Sequence, residues 1–265
     1  MQNVKICSLY SGSKGNSVFI EAGGAKIIID AGRSAKALCM SLKEIGVEVD
    51  EIDAIFITHE HNDHVAALQT LSHKHNIPMH LTLKSAQIYN GLFDEKLCLC
   101  LALHDKSDFQ VQIKSLAVKA FPTPHDSRAS VGYKLTFTDG GEEISIAYAT
   151  DIGHVTDVML ENMLGSKYAV IESNHDLDML RDGPYPVDLK ARIASPRGHL
   201  SNTDCATLAS KLAERGAKAI LLAHLSEENN LPELAYSETR GAVADDGVVI
   251  EVASQYFPVW LVGKE

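Results

Sequence analysis

Short apolar runs recur along the chain between stretches whose apolar residues fall at helical spacing. The runs predict strands over residues 4–9, 18–21, 25–29, 54–57, 78–81, 97–103, 109–113, 116–121, 131–138, 144–150, 168–171, 219–223 and 248–252. The helical spacing is clearest after Ser34, where Ala37, Leu38, Leu42 and Ile45 recur before Gly46 stops the pattern. Further helices are expected over 63–74, 85–92, 155–163 and 187–194, from Ser201 or Asn202 to about 215, and from about 232. A β-rich stretch followed by αβ alternation occurs twice. That order implies two sheets packed face to face with helices outside.

The polar residues that interrupt this pattern are not random in kind. Directly after the apolar run Ala54-Ile55-Phe56-Ile57 comes Thr58-His59-Glu60-His61-Asn62-Asp63-His64, which puts three imidazoles and the Asp63 carboxylate at the end of a strand. His59 and His61, two apart in extended chain, point to one side and can hold one cation, while Asp63 and His64 turn into the next helix and can reach a second. A helical His-Glu-x-x-His zinc motif is excluded, because the fifth position of that frame is Asp63 and the context is a strand end. Other strand ends carry the same residue types: His125 after two prolines that fix its direction, then Asp151 and His224. The loop Ser11-Gly12-Ser13-Lys14-Gly15-Asn16-Ser17 is rich in small residues and hydrogen-bond donors and can hold an anion, but it lacks the Gly-Lys-Ser/Thr ending of a P-loop, and a plain hairpin connection explains it somewhat better than a phosphate cradle.

Composition narrows the setting. With 265 residues, 45% hydrophobic and 22% charged, the chain is expected to form one globular domain over 1–265. Cys7, Cys39, Cys98, Cys100 and Cys205 are odd in number and scattered, which fits neither a disulfide framework nor a paired-cysteine zinc site and points to a reducing, cytoplasmic setting. No apolar run approaches the roughly 20 residues needed to cross a bilayer, so no membrane is expected as partner. The net charge of −11 disfavours loose association with phosphate backbones, so a polyanionic substrate would need local positive charge. Lys14, Arg128, Lys190, Arg192 and Arg197 flank the motif loops and are the expected cationic rim. His73, His75, His80 and His104 lie off the motifs and are expected to be surface or packing residues.

The series His-x-His-x-Asp-His, then a distant His, an Asp and a last His, resembles the metallo-β-lactamase fold over nearly the whole chain. Four stretches are similar to the YycJ/WalJ group of bacterial proteins, relatives of the metal-dependent nucleases: 11–17, Glu172-Ser173-Asn174-His175-Asp176, 195–202 and Leu222-Ala223-His224-Leu225-Ser226. The resemblance implies an α/β (α+β) protein built as a four-layer αββα sandwich around two divalent metal ions. It assigns one ion to His59, His61 and His125, the other to Asp63, His64 and His224, with Asp151 bridging. Nitrogen and oxygen ligands without thiolate admit zinc, manganese or iron. Gly198-His199 resembles the Gly-His segment of β-CASP nucleases, in which a histidine faces the scissile phosphate, although no inserted β-CASP domain is present.

Two such ions can share a water, lower its pKa from about 15.7 toward 7 and polarise the oxygen it attacks. Asp63 would then orient the bridging hydroxide and accept its proton. Phosphodiester cleavage asks for more, and His199, Ser13, Asn16, Asn174 and Ser201 are the residues expected to meet the phosphate. The expected activity is therefore a metal-dependent phosphodiesterase, in its sharpest form an exonuclease acting on DNA 5′ ends, with nucleic acid as partner. A small acyl substrate such as a thioester or lactone suits the acidic charge better, and a non-catalytic regulatory module is the third alternative. All seven ligand positions being filled counts against the last.

Overall fold

The computed structural model describes residues 4–89 and 94–263. Its first sheet comprises β1 (Lys5–Tyr10), β2 (Ser17–Ala22), β3 (Ala25–Ile29), β4 (Ala54–Phe56), β5 (Met79–Thr82) and β6 (Leu101–His104). The second comprises β7 (Gln110–Ile113), β8 (Leu116–Pro122), β9 (Val131–Asp139), β10 (Glu142–Ala149), β11 (Tyr168–Glu172), β12 (Ala219–Ala223) and β13 (Val249–Val252). A last strand, β14 (Val259–Val262), which the apolar pattern does not single out, crosses back to pair antiparallel with β1.

Period-two alternation divides each strand between two cores. Ile27 and Ile29 face the space between the sheets with Phe56, Tyr133, Leu135, Ile146 and Leu221, whereas Ile28 faces outward onto Leu38, Leu42 and Leu71 of the flanking helices Ala35–Glu44 and Leu68–His75. On the far side Ala147, Ile171 and Leu222 pack against Met159, Leu208 and Leu212 of the helices Asp157–Met163 and Asn202–Glu214. Helix, sheet, sheet and helix make the four-layer αββα sandwich. Among the described residues no helix is long and apolar enough to cross a membrane.

Strand direction decides where the chemistry gathers. The ladder β3-β4-β5-β6 is parallel, as is β10-β11-β12-β13, and β8 runs with β10 because each is antiparallel to β9. The carboxyl ends of β3, β4, β8, β10, β11 and β12 therefore bring Asp30, His59, His125, Asp151, Glu172 and His224 to one edge of the sandwich, where open α/β sheets bind their ligands. Asp30, Asp151 and His224 adopt left-handed backbone angles (φ 62°, 57° and 58°) immediately past their strands. Such angles cost roughly 1–2 kcal/mol in non-glycine residues, and their recurrence at this edge indicates a conformation imposed by the surroundings.

Several elements depart from the apolar pattern. The expected helix over 63–74 is broken into Asn62–Val65 and Leu68–His75. Tertiary bonds empty its ladder: Asp63 O accepts from Asn16 N, His64 O accepts from Ala31 N, and Ala67 N donates to Ala31 O. The strand expected over 97–103 begins as a helix, Glu95–Cys100, because the Asp94 side chain caps it by accepting from Leu97 N, and only its end joins the sheet as β6. The helix expected over 85–92 is shorter and earlier, Leu83–Ala86, and 90–92 fall outside the described residues. A short helix that the apolar pattern misses, Leu177–Asp182, starts on the Asp176 cap.

Gly132 in β9 marks a place where the helix-side packing of the second sheet tolerates no added atom. A Cβ there would lie 2.6 Å from the Phe121 ring and 2.7 Å from the Tyr148 carbonyl oxygen, both buried. Gly132→Ala is expected to destabilise the fold by about 1–3 kcal/mol, the usual cost of overpacking. A thermal melt checks it, and an unchanged midpoint would contradict tight packing around Phe121.

Candidate metal centre

Three rings meet first. His59 Nε2 lies 2.9 Å from His61 Nδ1, and His125 Nε2 is 3.3 Å from the same atom, so three nitrogens face one point. The second set is built around Asp63 Oδ2, 3.3 Å from His64 Nε2 and 3.7 Å from His224 Nε2. Asp151 stands between the two sets, with Oδ1 3.7 Å from His125 Nε2 and 3.5 Å from His224 Nε2, and Oδ2 3.4 Å from His64 Nε2. The structure thus brings all seven expected ligand residues together: within each of the sets His59, His61 and His125, and Asp63, His64 and His224, the donor atoms lie within 4.8 Å of one another, and Asp151 groups in the same way with His59 and His64 and with Glu172, His199 and His224.

The rings are aimed from behind. His64 Nδ1 donates to Asp30 Oδ2 (2.8 Å), His224 Nδ1 to Glu172 Oε1 (3.0 Å) and His125 Nδ1 to the Gly198 carbonyl (3.1 Å), which turns each Nε2 toward the centre. Asp30 is fixed in turn by Thr58, whose backbone N–H donates to its Oδ1 at 2.8 Å. Glu172 is a buried hub: its Oε2 accepts from Ile152 N (2.7 Å) and Leu200 N (3.1 Å), and its Oε1 also accepts from His199 Nδ1 (2.7 Å). Asp30 and Glu172 carry no assigned role in the sequence reading. Each sits at the end of an apolar strand, the same signal that marks the ligands, but their partners are dozens of residues away.

Electrostatics follow from this crowding. Burial and the neighbouring rings of His64, His125 and His61 push the His59 pKa well below its usual value. Burial works against charge on His224 as well, yet Asp151, Asp63 and Glu172 outweigh it and raise its pKa to about 10. The carboxylates of Asp63 and Asp151 are desolvated, but surrounding imidazoles hold both below the usual range. Such a site favours bound positive charge. Asp151 Oδ2 and His224 Nε2 are buried without hydrogen-bond partners and face the same space, which fits cation coordination by these residues.

A cavity of about 290 Å³ opens over the cluster, and Ser13, Asn174, Tyr185, Arg192, His199 and Ser226 are in its wall beside the ligands. His199 lies close to the ligands, with Nδ1 3.8 Å from Asp151 Oδ1 and its ring stacked on His224. Two expected phosphate contacts stand elsewhere. Asn16 is buried behind Asp63, where its Nδ2 donates to Asp63 Oδ2 (3.2 Å), and Ser201 caps the helix Asn202–Glu214 by accepting from Asp204 N. Loop closure around the strand ends turns both inward. His175 is also buried and lines none of the cavity.

The cationic rim is narrower than expected. Arg192 alone of the five borders the cavity, and its Nε pairs with Asp126 Oδ2 at 2.5 Å. Arg197 is spent on holding the His125 loop, donating Nε and Nη2 to the His125 carbonyl (2.9 and 2.7 Å). Lys14 pairs with Glu227, Lys190 donates to the Arg181 carbonyl, and Arg128 borders a separate cavity with Lys84. Cys205 lies in the helix-side core, where burial pushes its thiol up to about 12. Cys205→Ser is accordingly expected to leave turnover within about twofold, because an inert buried thiol takes no part in chemistry. Loss of activity at unchanged stability would contradict that.

Comparison with known proteins gives a consistent picture. Residues 25–225 match the family described as beta-lactamase superfamily domain. The chain is 34% identical over 254 residues to the exodeoxyribonuclease WalJ of Streptococcus pneumoniae, covering 93% of this chain and 91% of that one. It is 33% identical over 243 residues to the exodeoxyribonuclease YycJ of Bacillus anthracis, covering 90% and 89%. In fold it is similar to YhfI, a metallo-beta-lactamase fold protein from Bacillus subtilis, with a TM-score of 0.72 at 16% identity over 97% of this chain and 98% of that chain.

Proposed function

This chain belongs to the β-lactamase superfamily, and from that premise we propose that it is a dinuclear metal-dependent phosphodiesterase, an exonuclease that shortens DNA from its 5′ end in the cytoplasm. The observation that carries the reading is Asp151, whose two oxygens stand between the two imidazole clusters. Its direction toward DNA is supported by full-length relatives named exodeoxyribonucleases. Zinc and manganese are the ions the nitrogen and oxygen donors suit best, with iron also admitted.

When bound, two divalent ions would supply an activated water and neutralise charge growing on the phosphorus-bound oxygens. The rest is the work of side chains. Asp63, partly open to the cavity and steadied by Asn16, orients the attacking water and takes its proton. Ser13, Asn174 and Arg192 border the space for the phosphate and its neighbours. His199 keeps its Nδ1–H on Glu172, and in the imidazolium form, which that carboxylate stabilises, the second proton on Nε2 can be donated to a phosphate oxygen or passed to the departing one. An acyl substrate makes no such demand on a histidine outside the ligand set.

The test is hydrolysis of end-labelled DNA and RNA, a generic phosphodiester and a thioester, with zinc or manganese added and after chelation. Metal-dependent release of nucleotides from DNA 5′ ends is expected. Turnover of the thioester alone would establish the acyl-hydrolase alternative, and no turnover of any substrate would favour a non-catalytic module.

A further inference from the structure

Among the described residues three aromatic side chains are exposed, and two of them, Tyr256 and Phe257 (66% and 58%), are neighbours on the turn between β13 and β14. With Leu231, Pro232 and Val252 they wall a second, largely apolar cavity of about 410 Å³. Exposed apolar surface concentrated in a concavity marks a binding site more often than chance. This cavity adjoins the metal centre, since Ser226 borders both. Ser11 ties the two walls together: its N–H donates to the Ser254 carbonyl (2.9 Å) beside the rings, and its Oγ accepts from His224 N (2.8 Å) at the ligand.

The Tyr256 ring is held in position. Its hydroxyl donates to Glu227 (2.6 Å), which also accepts from Lys14 (2.6 Å), the residue after Ser13 on the rim of the metal cavity. Glu227 is thereby paired, and the wall offers ring faces in place of unbalanced negative charge.

We propose that this cavity is a nucleobase subsite, in which an unpaired base adjoining the phosphate at the metal centre stacks on Tyr256 and Phe257. The proposal rests on the nuclease reading above. It also accounts for how a chain of net charge −11, with one arginine at its metal cavity, holds a polyanion: much of the grip comes from stacking, which every base permits, and less from phosphate contacts. The substrate at this point is therefore single-stranded or frayed, and little sequence is read.

The full metal-loaded chain and its Tyr256→Ala/Phe257→Ala variant are compared for binding of a phosphorothioate-linked single-stranded DNA carrying 2-aminopurine at successive positions. One position should be quenched by the native chain and not by the variant, and the variant's Kd should rise about 5- to 150-fold, the range for one stacked base. That difference should vanish when the same position is abasic, and Tyr256→Phe, which keeps the ring, should retain binding. Metal content and melting temperature should not change, as both rings are exposed. Equal affinities in a chain that cuts DNA would overturn the subsite while leaving the nuclease reading intact, and would assign the rings to another partner such as a protein. A loss of binding that persists with abasic DNA would overturn it too. A native chain that neither binds nor cuts DNA yet hydrolyses a thioester would remove both readings.

Discussion

Asp151→Ala is expected to abolish phosphodiester turnover and to lower the metal content of the purified protein. Asp151 lies within 3.7 Å of His64, His125 and His224, so it contributes to both donor clusters at once. Replacing even the outer partner of a metal ligand commonly costs 10- to 100-fold, and a residue shared by two ions should exceed about 100-fold. The backbone should tolerate the change poorly as well, since alanine adopts a φ of 57° less readily than aspartate. Turnover and elemental analysis on the same sample check the result. Retained activity with two ions bound would mean that the clusters are not joined through this carboxylate.

His199→Ala is expected to reduce phosphodiester turnover by roughly 10²- to 10⁴-fold, the range for a positioned acid or donor, while the metal content stays as in the native chain. The split between the two readouts comes from geometry. His199 stacks on His224 and bonds to Glu172 but is not among the donors around Asp63, His64 and His224 or around His59, His61 and His125, and in the further group it forms with Asp151, Glu172 and His224 its Nδ1 is already bonded to Glu172. Thioester turnover, if any, should fall far less. Melting temperature belongs in the same experiment, because Glu172 would lose one of its four hydrogen bonds. Unchanged phosphodiester turnover with intact metal would remove His199 from the mechanism.

Much of this site was legible because its residues announce themselves locally. The run from His59 to His64 combines imidazoles and a carboxylate where an apolar strand stops, and His125, Asp151 and His224 repeat the pattern. What a linear pattern does not carry is pairing over distance. Asp30 reaches His64 across 34 residues and Glu172 reaches His224 across 52, so neither could be told from an ordinary strand-end carboxylate. Asn16 and Ser201 show the converse error. Both have the polarity of a phosphate contact, but the folded chain uses one to steady Asp63 and the other to cap a helix. The helix expected over 63–74 fails for the same reason, since its carbonyls at Asp63 and His64 are taken by Asn16 and Ala31. Tertiary bonds override local helical preference where the chain is bent around the site.

Anomalous scattering from crystals grown with zinc or manganese is the most direct measurement. Two peaks are expected on either side of Asp151, one contacting His59, His61 and His125, the other Asp63, His64 and His224. A single peak that leaves Asp151 unbound, or metal held instead by His73, His75 or a cysteine, would contradict a two-ion centre at this edge of the sandwich.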